Sequence, residues 1–379
     1  GLGDVYKRQT INGRDRAGNQ SQEAKLSNIR VDLTPPEFST LKPASGSFVN
    51  TADVGWFLSE DIDSGMVYFS RKGSNSKLEA PLIGKELAQG TKQLGPLNNY
   101  VALRDGELYT ISIVGQDFAS NVSEEVSVID ITFDTSPPEI AIEKPQSESF
   151  VNSNQITFSV NEPFTSAKMI WQGKGLEPQE FVLRDSHLSQ GKHILKDYGV
   201  RPLEKVFYNI HIEGLDRATN LGVSDTLLNV TFDITPPVLT ISSPISDSPV
   251  NSSQLTLNFS EPLKKGRVTW VATAGPDPNS PHVRNFSEQD RQQGDKIDFI
   301  FESPPSLVDG VEYQVVVEGT DLAGNKGEPF KVNNVFYDIT PPRFTDVEPL
   351  DSTFINKAYI NYTLSDNLME GKIYFDNVG

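Results

Sequence analysis

The sequence predicts an all-β protein built from tandem antiparallel β-sandwiches laid end to end as a rod. Three observations carry the expectation. First, a five-residue stretch recurs four times, as Asp32-Leu-Thr-Pro-Pro, Asp134-Thr-Ser-Pro-Pro, Asp233-Ile-Thr-Pro-Pro and Asp338-Ile-Thr-Pro-Pro, with spacings of 102, 99 and 105 residues between the aspartates. That period is one domain length. Second, apolar and polar residues alternate over short runs between the copies, the period of half-buried strands, and no stretch has helical spacing. Third, each pair of prolines removes ladder donors and pushes the residue before it to extended backbone, so each copy reads as a short stiff linker.

Other landmarks keep step with the linker aspartates. An asparagine ends a Val-Asn or Ile-Asn pair 18 residues after each (Asn50, Asn152, Asn251, Asn356). An acid stands at plus 28 (Glu60, Glu162, Glu261, Asp366) and an aromatic at plus 37 (Phe69, Trp171, Trp270, Phe375). An Asp-x-Ala-x-Asn motif begins 17 residues before each linker, at Asp15, Asp117, Asp216 and Asp321. The landmarks divide the chain into the end of a truncated module (10–34), three complete modules (35–136, 137–235 and 236–340) and the start of another (341–379). Residues 1–9 fall out of register: Lys7 stands where later copies have Tyr109, Tyr208 and Tyr313. The stretch Asp4 to Gln9 resembles the translation of a transposon end used in sequencing-library preparation. It is set aside as a cloning or assembly scar, and the chain is expected to be a piece of a longer protein.

The strands follow in order. Ile29 and Val31 alternate before the first linker. Within the complete modules Val54, Trp56, Leu58 correspond to Ile156, Phe158, Val160 and to Leu255, Leu257, Phe259. Next come Val67 and Phe69, matched by Met169 and Trp171 and by Val268 and Trp270. The middle stretches 72–100, 172–200 and 271–305 diverge and read as loops. The best-patterned strand is Tyr109, Ile111, Ile113, Gly115, recurring from Tyr208 and from Tyr313, and a last strand (Ile131 and Phe133, or Val230 and Phe232) runs into the next linker.

Net charge is −18, from 33 basic and 51 acidic side chains, which disfavours nucleic acid and anionic membrane surfaces as partners. No apolar run reaches the length of a spanning helix. The absence of cysteine excludes disulfides and thiolate metal sites, and the four histidines include only one close pair, His187 and His193, read as surface residues. No Ser-His-Asp set, phosphate loop or dinucleotide fingerprint appears. Glu162-Pro163 and Glu261-Pro262 suggest glycosidase carboxylates only superficially, because that chemistry needs two acids facing one cleft and these recur once per module. No enzymatic activity is expected.

In two copies a leucine lies six residues before the tyrosine with Asp-Gly between them: Leu103 before Tyr109 and Leu307 before Tyr313. This resembles the tyrosine corner of immunoglobulin-like and fibronectin type III sandwiches. The middle copy departs, with Leu203 five before Tyr208, and a rearranged corner is expected there. The whole pattern, Asp-x-Ala-Gly-Asn followed by Asp-x-Thr-Pro-Pro, resembles bacterial immunoglobulin-like tandem repeats of surface adhesins and other secreted proteins. The resemblance covers residues 10–379 and implies an extracellular or cell-surface location.

In such a sandwich the linker enters beside two loops. One carries the plus-28 acid and the other the Asp-x-Ala-x-Asn motif. Three sets of oxygen-bearing residues are therefore expected to converge: Asp32, Glu60, Asp117, Asn121; Asp134, Glu162, Asp216, Asn220; and Asp233, Glu261, Asp321, Asn325. Clustered carboxylates without a cation repel one another, and calcium takes six to eight oxygens, so calcium at each module junction is one reading. The competing reading is turn chemistry: the aspartate caps its loop and the linker Asp-x-Thr forms an Asx turn. Trp171 and Trp270, in phase with buried positions, read as core rather than sugar-stacking residues.

The expected function is a non-catalytic spacer or stalk of a bacterial surface or secreted protein, connected with adhesion and without obligate oligomerisation. One alternative is that the modules bind a glycan or protein through the middle stretches, whose aromatics are Tyr100, Phe181, Tyr198 and Phe286. Another is an accessory region of a large secreted hydrolase.

Overall fold

A computed structural model describes residues 5–94 and 101–376; Tyr100 lies outside them. The chain divides into two compact units. The first comprises Gly1–Glu148, Asn154–Pro202 and Val206–Val230, and the second Ser149–Ser153, Leu203–Lys205 and Thr231–Gly379. Among the described residues there is no α-helix, and no helix long and apolar enough to cross a membrane.

The first unit opens with β1 (Val5–Ile11) paired antiparallel to β2 (Ala24–Val31). Strand β1 begins inside the stretch that the sequence reading sets aside. A ladder requires only backbone N–H and C=O groups, and from Lys7 to Ile11 the side chains stay exposed.

A complete sandwich follows: β3 (Phe38–Lys42), β4 (Phe48–Val49), β5 (Val54–Leu58), β6 (Ser64–Arg71), β7 (Lys77–Pro81), β8 (Gly90–Leu94), β9 (Glu107–Gln116) and β10 (Val126–Phe133). One sheet has the order β3-β5-β8 and the other β4-β10-β9-β6-β7. Val54, Trp56 and Leu58 from the first sheet pack with Val67, Phe69, Ile111 and Ile113 from the second in one core. Next come β11 (Ile140–Lys144), β12 (Phe150–Val151), β13 (Ile156–Val160), β14 (Ser166–Gly173), β15 (Gln179–Val182), β16 (Gly191–Leu195), β17 (Phe207–Leu215), β18 (Leu221–Val223) and β19 (Leu227–Phe232). Here β11-β13-β16 form one sheet, and β14 lies between β15 and β17 in the other.

In the second unit β12 pairs parallel with the end of β19, Phe150 opposite Thr231. Its sandwich has β20 (Leu239–Ser243), β21 (Pro249–Val250), β22 (Leu255–Phe259), β23 (Leu263–Ala274), β24 (His282–Asn285), β25 (Gly294–Phe299), β26 (Val311–Asp321) and β27 (Phe330–Tyr337). The sheets are β20-β22-β25 and β21-β27-β26-β23-β24, around Leu257, Phe259, Trp270, Tyr313 and Val315. Two further strands, β28 (Phe344–Glu348) and β29 (Asn361–Leu364), pair at the end.

The fold is thus all-β, tandem sandwiches of the immunoglobulin and fibronectin type III type. The middle stretches are not simply loops: each holds two strands, β7 and β8, β15 and β16, or β24 and β25. Alternation fails to announce them because they lie at sheet edges and bury little; β7 buries only Ala80. Trp171 and Trp270 are core residues, at most 1% exposed. Each packs edge-on against a tyrosine diagonally across on the neighbouring strand, Tyr208 at 5.6 Å and Tyr313 at 6.0 Å between centroids. In the first and third sandwiches the tyrosine corner is made as the pattern predicts: the Tyr109 hydroxyl accepts from the Arg104 N–H at 2.8 Å and that of Tyr313 from the Val308 N–H at 2.9 Å.

One feature recurs without having been expected. The residue four before each linker aspartate (Asn28, Asp130, Asn229, Asn334) is left-handed, with φ between 54° and 64°. In three of the four strands this residue lies where the ladder register shifts, at a β-bulge. Asparagine and aspartate are the side chains that tolerate this conformation best after glycine.

Candidate metal centres

The register dictates which loops meet. Phe38 opposite Leu58 puts the start of β3 beside the end of β5, and Ser64 opposite Gln116 puts the start of β6 beside the end of β9. The entering linker, the β5–β6 loop and the β9–β10 loop therefore share one end of the sandwich. The result is that Asp32, Glu60 and Asp117 each place a carboxylate oxygen within 4.8 Å of the others. Asp134, Glu162 and Asp216 do the same in the first unit, and Asp233, Glu261 and Asp321 in the second. Asp117, Asp216 and Asp321 are buried, at most 3% exposed.

Turn chemistry is present in full. Asp117 Oδ1 accepts from the N–H groups of Ala119 and Asn121, both at 2.8 Å, and Oδ2 accepts from the Asn121 amide at 2.8 Å. The same cap is made by Asp216 on Asn220 and by Asp321 on Gly324 and Asn325. The linker aspartates form Asx turns: Asp32, Asp134, Asp233 and Asp338 accept from the N–H two residues on at 3.0 to 3.1 Å. The two readings do not exclude one another, because a carboxylate offers about four lone-pair sites and the caps use two or three.

The asparagines tie each motif to its linker. Asn121, Asn220 and Asn325 donate Nδ2 both to the cap aspartate and to the linker carbonyl of Asp32, Asp134 and Asp233, at 3.1, 2.9 and 2.8 Å. Two acceptors fix the nitrogen inward and turn the oxygen away. The amide oxygens of Asn220 and Asn325 accept from Asn50 and Asn152 at 3.1 and 3.2 Å. These asparagines brace the linker through Nδ2.

The electrostatics are those of an uncompensated anionic cluster. Burial raises Glu162 above its ordinary value, and the charges of Asp134, Asp216 and Asp105 raise it further. Burial and then Asp233 and Asp321 raise Glu261, partly offset by Lys205. Asp134 is raised by burial, partly offset by its bond from Ser136 and reinforced by Asp216 and Asp105. Asp117 ends below its ordinary value: burial pushes it up, but the Asn121 side chain and three backbone N–H groups outweigh that. Among the described residues neither Glu162 nor Glu261 accepts a hydrogen bond or forms a salt bridge.

The donor set suits a hard divalent cation. Two oxygens each about 2.4 Å from one calcium ion lie at most about 4.8 Å apart, and the three carboxylates of each cluster meet that bound. Three carboxylates supply part of a six- to eight-oxygen shell, with carbonyls and water to complete it.

Two recurring groups escaped the sequence reading. Asn50 and Asn152 were landmarks without a role; they are the donors that hold the next module's asparagine. An acid 29 residues before each later linker aspartate, Asp105, Glu204 or Asp309, grips the linker from the other side. Asp105 Oδ2 accepts from the Ser136 hydroxyl at 2.7 Å, Glu204 from the Ile234 N–H at 2.9 Å, and Asp309 from the Ile339 N–H at 2.8 Å. The fixed offset was the available signal; it hid because one copy is glutamate. His187 and His193, read as surface residues, are half-buried with rings 5.9 Å apart.

No family model matches the chain, and no curated protein matches it. Among solved structures, the chain is similar to a tetra-tandem repeat in the extending region of a large adhesion protein, with 16% identity and a TM-score of 0.32 over 89% of this chain and 83% of that one. A structure concerned with host cell surface retention of a 1.5-MDa bacterial ice-binding adhesin shows 15% identity and a TM-score of 0.30, over 81% of this chain and 100% of that one. The chicken CNTN1 FN1-FN3 domains show 12% identity and a TM-score of 0.26, over 80% and 99%. The fold class stands on the strand order and the two-sheet cores.

Proposed function

We propose that this chain is a non-catalytic spacer whose junctions are stiffened by calcium, one ion at each of the clusters Asp32/Glu60/Asp117, Asp134/Glu162/Asp216 and Asp233/Glu261/Asp321. The modules are 35–136, 137–235 and 236–340, preceded by the end of one (10–34) and followed by the start of another (341–379). The observation that carries the reading is the half-buried Glu162 and Glu261, each within 4.8 Å of a linker carboxylate and a buried cap aspartate and each raised above its ordinary value by burial and by those acids, with Lys205 offsetting part of the effect at Glu261. A divalent ion there turns repulsion into attraction and ties the linker to two loops of the next sandwich. Diproline linkers gripped on both sides resist bending, which suits a stalk that presents another part of an extracellular or cell-surface bacterial protein, with an adhesive role.

The middle stretches favour this over a binding role for their aromatics. Tyr198 and Phe286 are buried, and Phe181 packs on Tyr198 at 5.0 Å between centroids, so among the described residues these three form no exposed aromatic platform.

The test is scattering and thermal melting of the chain in calcium and then in chelator. Chelation is expected to lower the melting temperature and broaden the distribution of end-to-end distances. Identical melting and identical scattering curves in both conditions would remove calcium and leave the aspartates as turn caps alone.

A further inference from the structure

We propose that the third sandwich carries a binding cleft for an acidic oligosaccharide, held through its carboxylate groups. The cleft encloses about 450 Å³, the lower part of the range of small-molecule sites. Lys265, Arg267, Arg291 and Lys326 surround it, in a chain whose net charge is −18. Arg267 is spent on Glu318 at 2.7 Å. Among the described residues Lys265, Arg291 and Lys326 meet no carboxylate; Arg291 gives only its Nε to the Ser287 carbonyl at 3.3 Å. Three cations without counter-ions thus face one concavity.

Gly266 on β23 lies opposite Gly319 on β26, their open sides turned to the core, where Phe286, Leu263 and Leu239 fill the space, while Lys265 and Arg267 flank Gly266 on the exposed face. A Cβ on Gly266 would stand 2.9 Å from the Phe286 ring.

The same hollow exists in the first sandwich, where Gly65 lies opposite Gly115 and the lining includes Ser64, Met66 and Val122. Counted from the linker aspartates and the Asp-x-Ala-x-Asn motifs, these are the positions of Lys265, Arg267 and Lys326; the second sandwich has Ser166, Lys168 and Leu221. Two copies thus share the hollow, and of these only the third makes it cationic; the second has Ala167 opposite Gly214. A residue set required by the fold would not change from Ser/Met/Val to Lys/Arg/Lys.

The chemistry narrows the occupant. A densely charged polymer such as duplex DNA needs a long basic track, and the acidic surface beyond this cleft repels it. A uronic-acid oligosaccharide spaces its carboxylates along a hydroxyl-rich chain. Such a ligand seats its carboxylates on the two lysines and Arg291 and offers hydroxyls to Asn285 and Thr320.

The experiment is a calorimetric titration of the whole chain, in calcium, with a uronic-acid oligosaccharide, a neutral oligosaccharide of equal length and a DNA duplex. The variant is Lys265→Ser with Lys326→Val, the residues of the first sandwich. The acidic oligosaccharide is expected to bind, more weakly as salt rises, and the double variant to bind it at least about tenfold more weakly at unchanged melting temperature, since each charge-assisted contact is worth about a factor of ten. Absence of binding, equal binding of the neutral sugar, preference for DNA, or a variant that binds as well as the parent each overturns the proposal. Both lysines are exposed, so the variant is expected to fold, and melting of the variant reports that directly.

Discussion

At the scale of single residues, Glu162 is the most informative position. Folding raises it, mainly by burial and then by Asp134, Asp216 and Asp105, so without a cation its ionised form opposes folding. That penalty is full above the folded pKa and gone below the unfolded value. Glu162→Gln is therefore expected to raise the melting temperature in chelator at neutral pH and to lose most of the gain on adding calcium. The advantage of Gln in chelator should vanish as pH falls through the range just above ordinary carboxylate values. A variant that melts below the parent in chelator would refute the repulsive account. Asp105 and Asp117, lowered by hydrogen bonds, act in the opposite sense: their contribution is present at neutral pH and is lost on further acidification. The carboxylate triads were legible in the sequence because each member keeps a fixed distance from its linker aspartate. The bracing bond from Asn121 Nδ2 to the linker carbonyl was not, since sequence spacing does not say which way an amide points.

Strands show what periodicity reports and what it misses. The inner strands, such as β5 and β9, alternate because each buries every second residue, and they were read correctly from Val54, Trp56, Leu58 and from Tyr109, Ile111, Ile113. The edge strands β7, β15 and β24 bury too little to alternate and passed for loops. The bulge at Asp130 and Asn334 is invisible to periodicity, yet it sets the register of the last strand. Asn334→Val is expected to cost about 1–2 kcal/mol in chemical denaturation, the penalty of a left-handed β-branched residue, while Asn334→Gly stays near neutral. Equal costs for the two would show that the position is not held left-handed. The first pair, β1 and β2, has the same register: Lys7 faces Ile29 as Tyr109 faces Ile131. A bulge at Asn28 together with backbone pairing is enough to align it, with no core tyrosine present.

Across the whole molecule the three triads should behave as three similar and separate cation sites. Calcium titration is expected to give a stoichiometry near three per chain, falling to two in Glu162→Gln, with protons released on binding only at a pH low enough to leave the raised Glu162 and Glu261 partly protonated. A stoichiometry unaffected by that substitution would place the ions elsewhere. The tandem organisation was plain from the linker repeat alone. The cationic hollow was not, because Lys265, Arg267, Arg291 and Lys326 come from three separate segments and only folding gathers them.

The parallel pairing of β4 with β10 and of β21 with β27 has a mechanical consequence. In each sandwich a strand from near its beginning lies beside the one that ends it, and they run in the same direction. Three backbone bonds join them in the first: Gly46 N–H to Ile129 carbonyl at 3.0 Å, Thr132 to Ser47 at 2.9 Å and Asp134 to Val49 at 2.9 Å. Counterparts in the third are Asp247 to Asn333, Phe336 to Ser248 and Asp338 to Val250. A pull on the two ends of a sandwich slides these strands past one another along their length. The bonds are then strained together in shear instead of being peeled open in turn, so each module resists extension at the place where its linker departs.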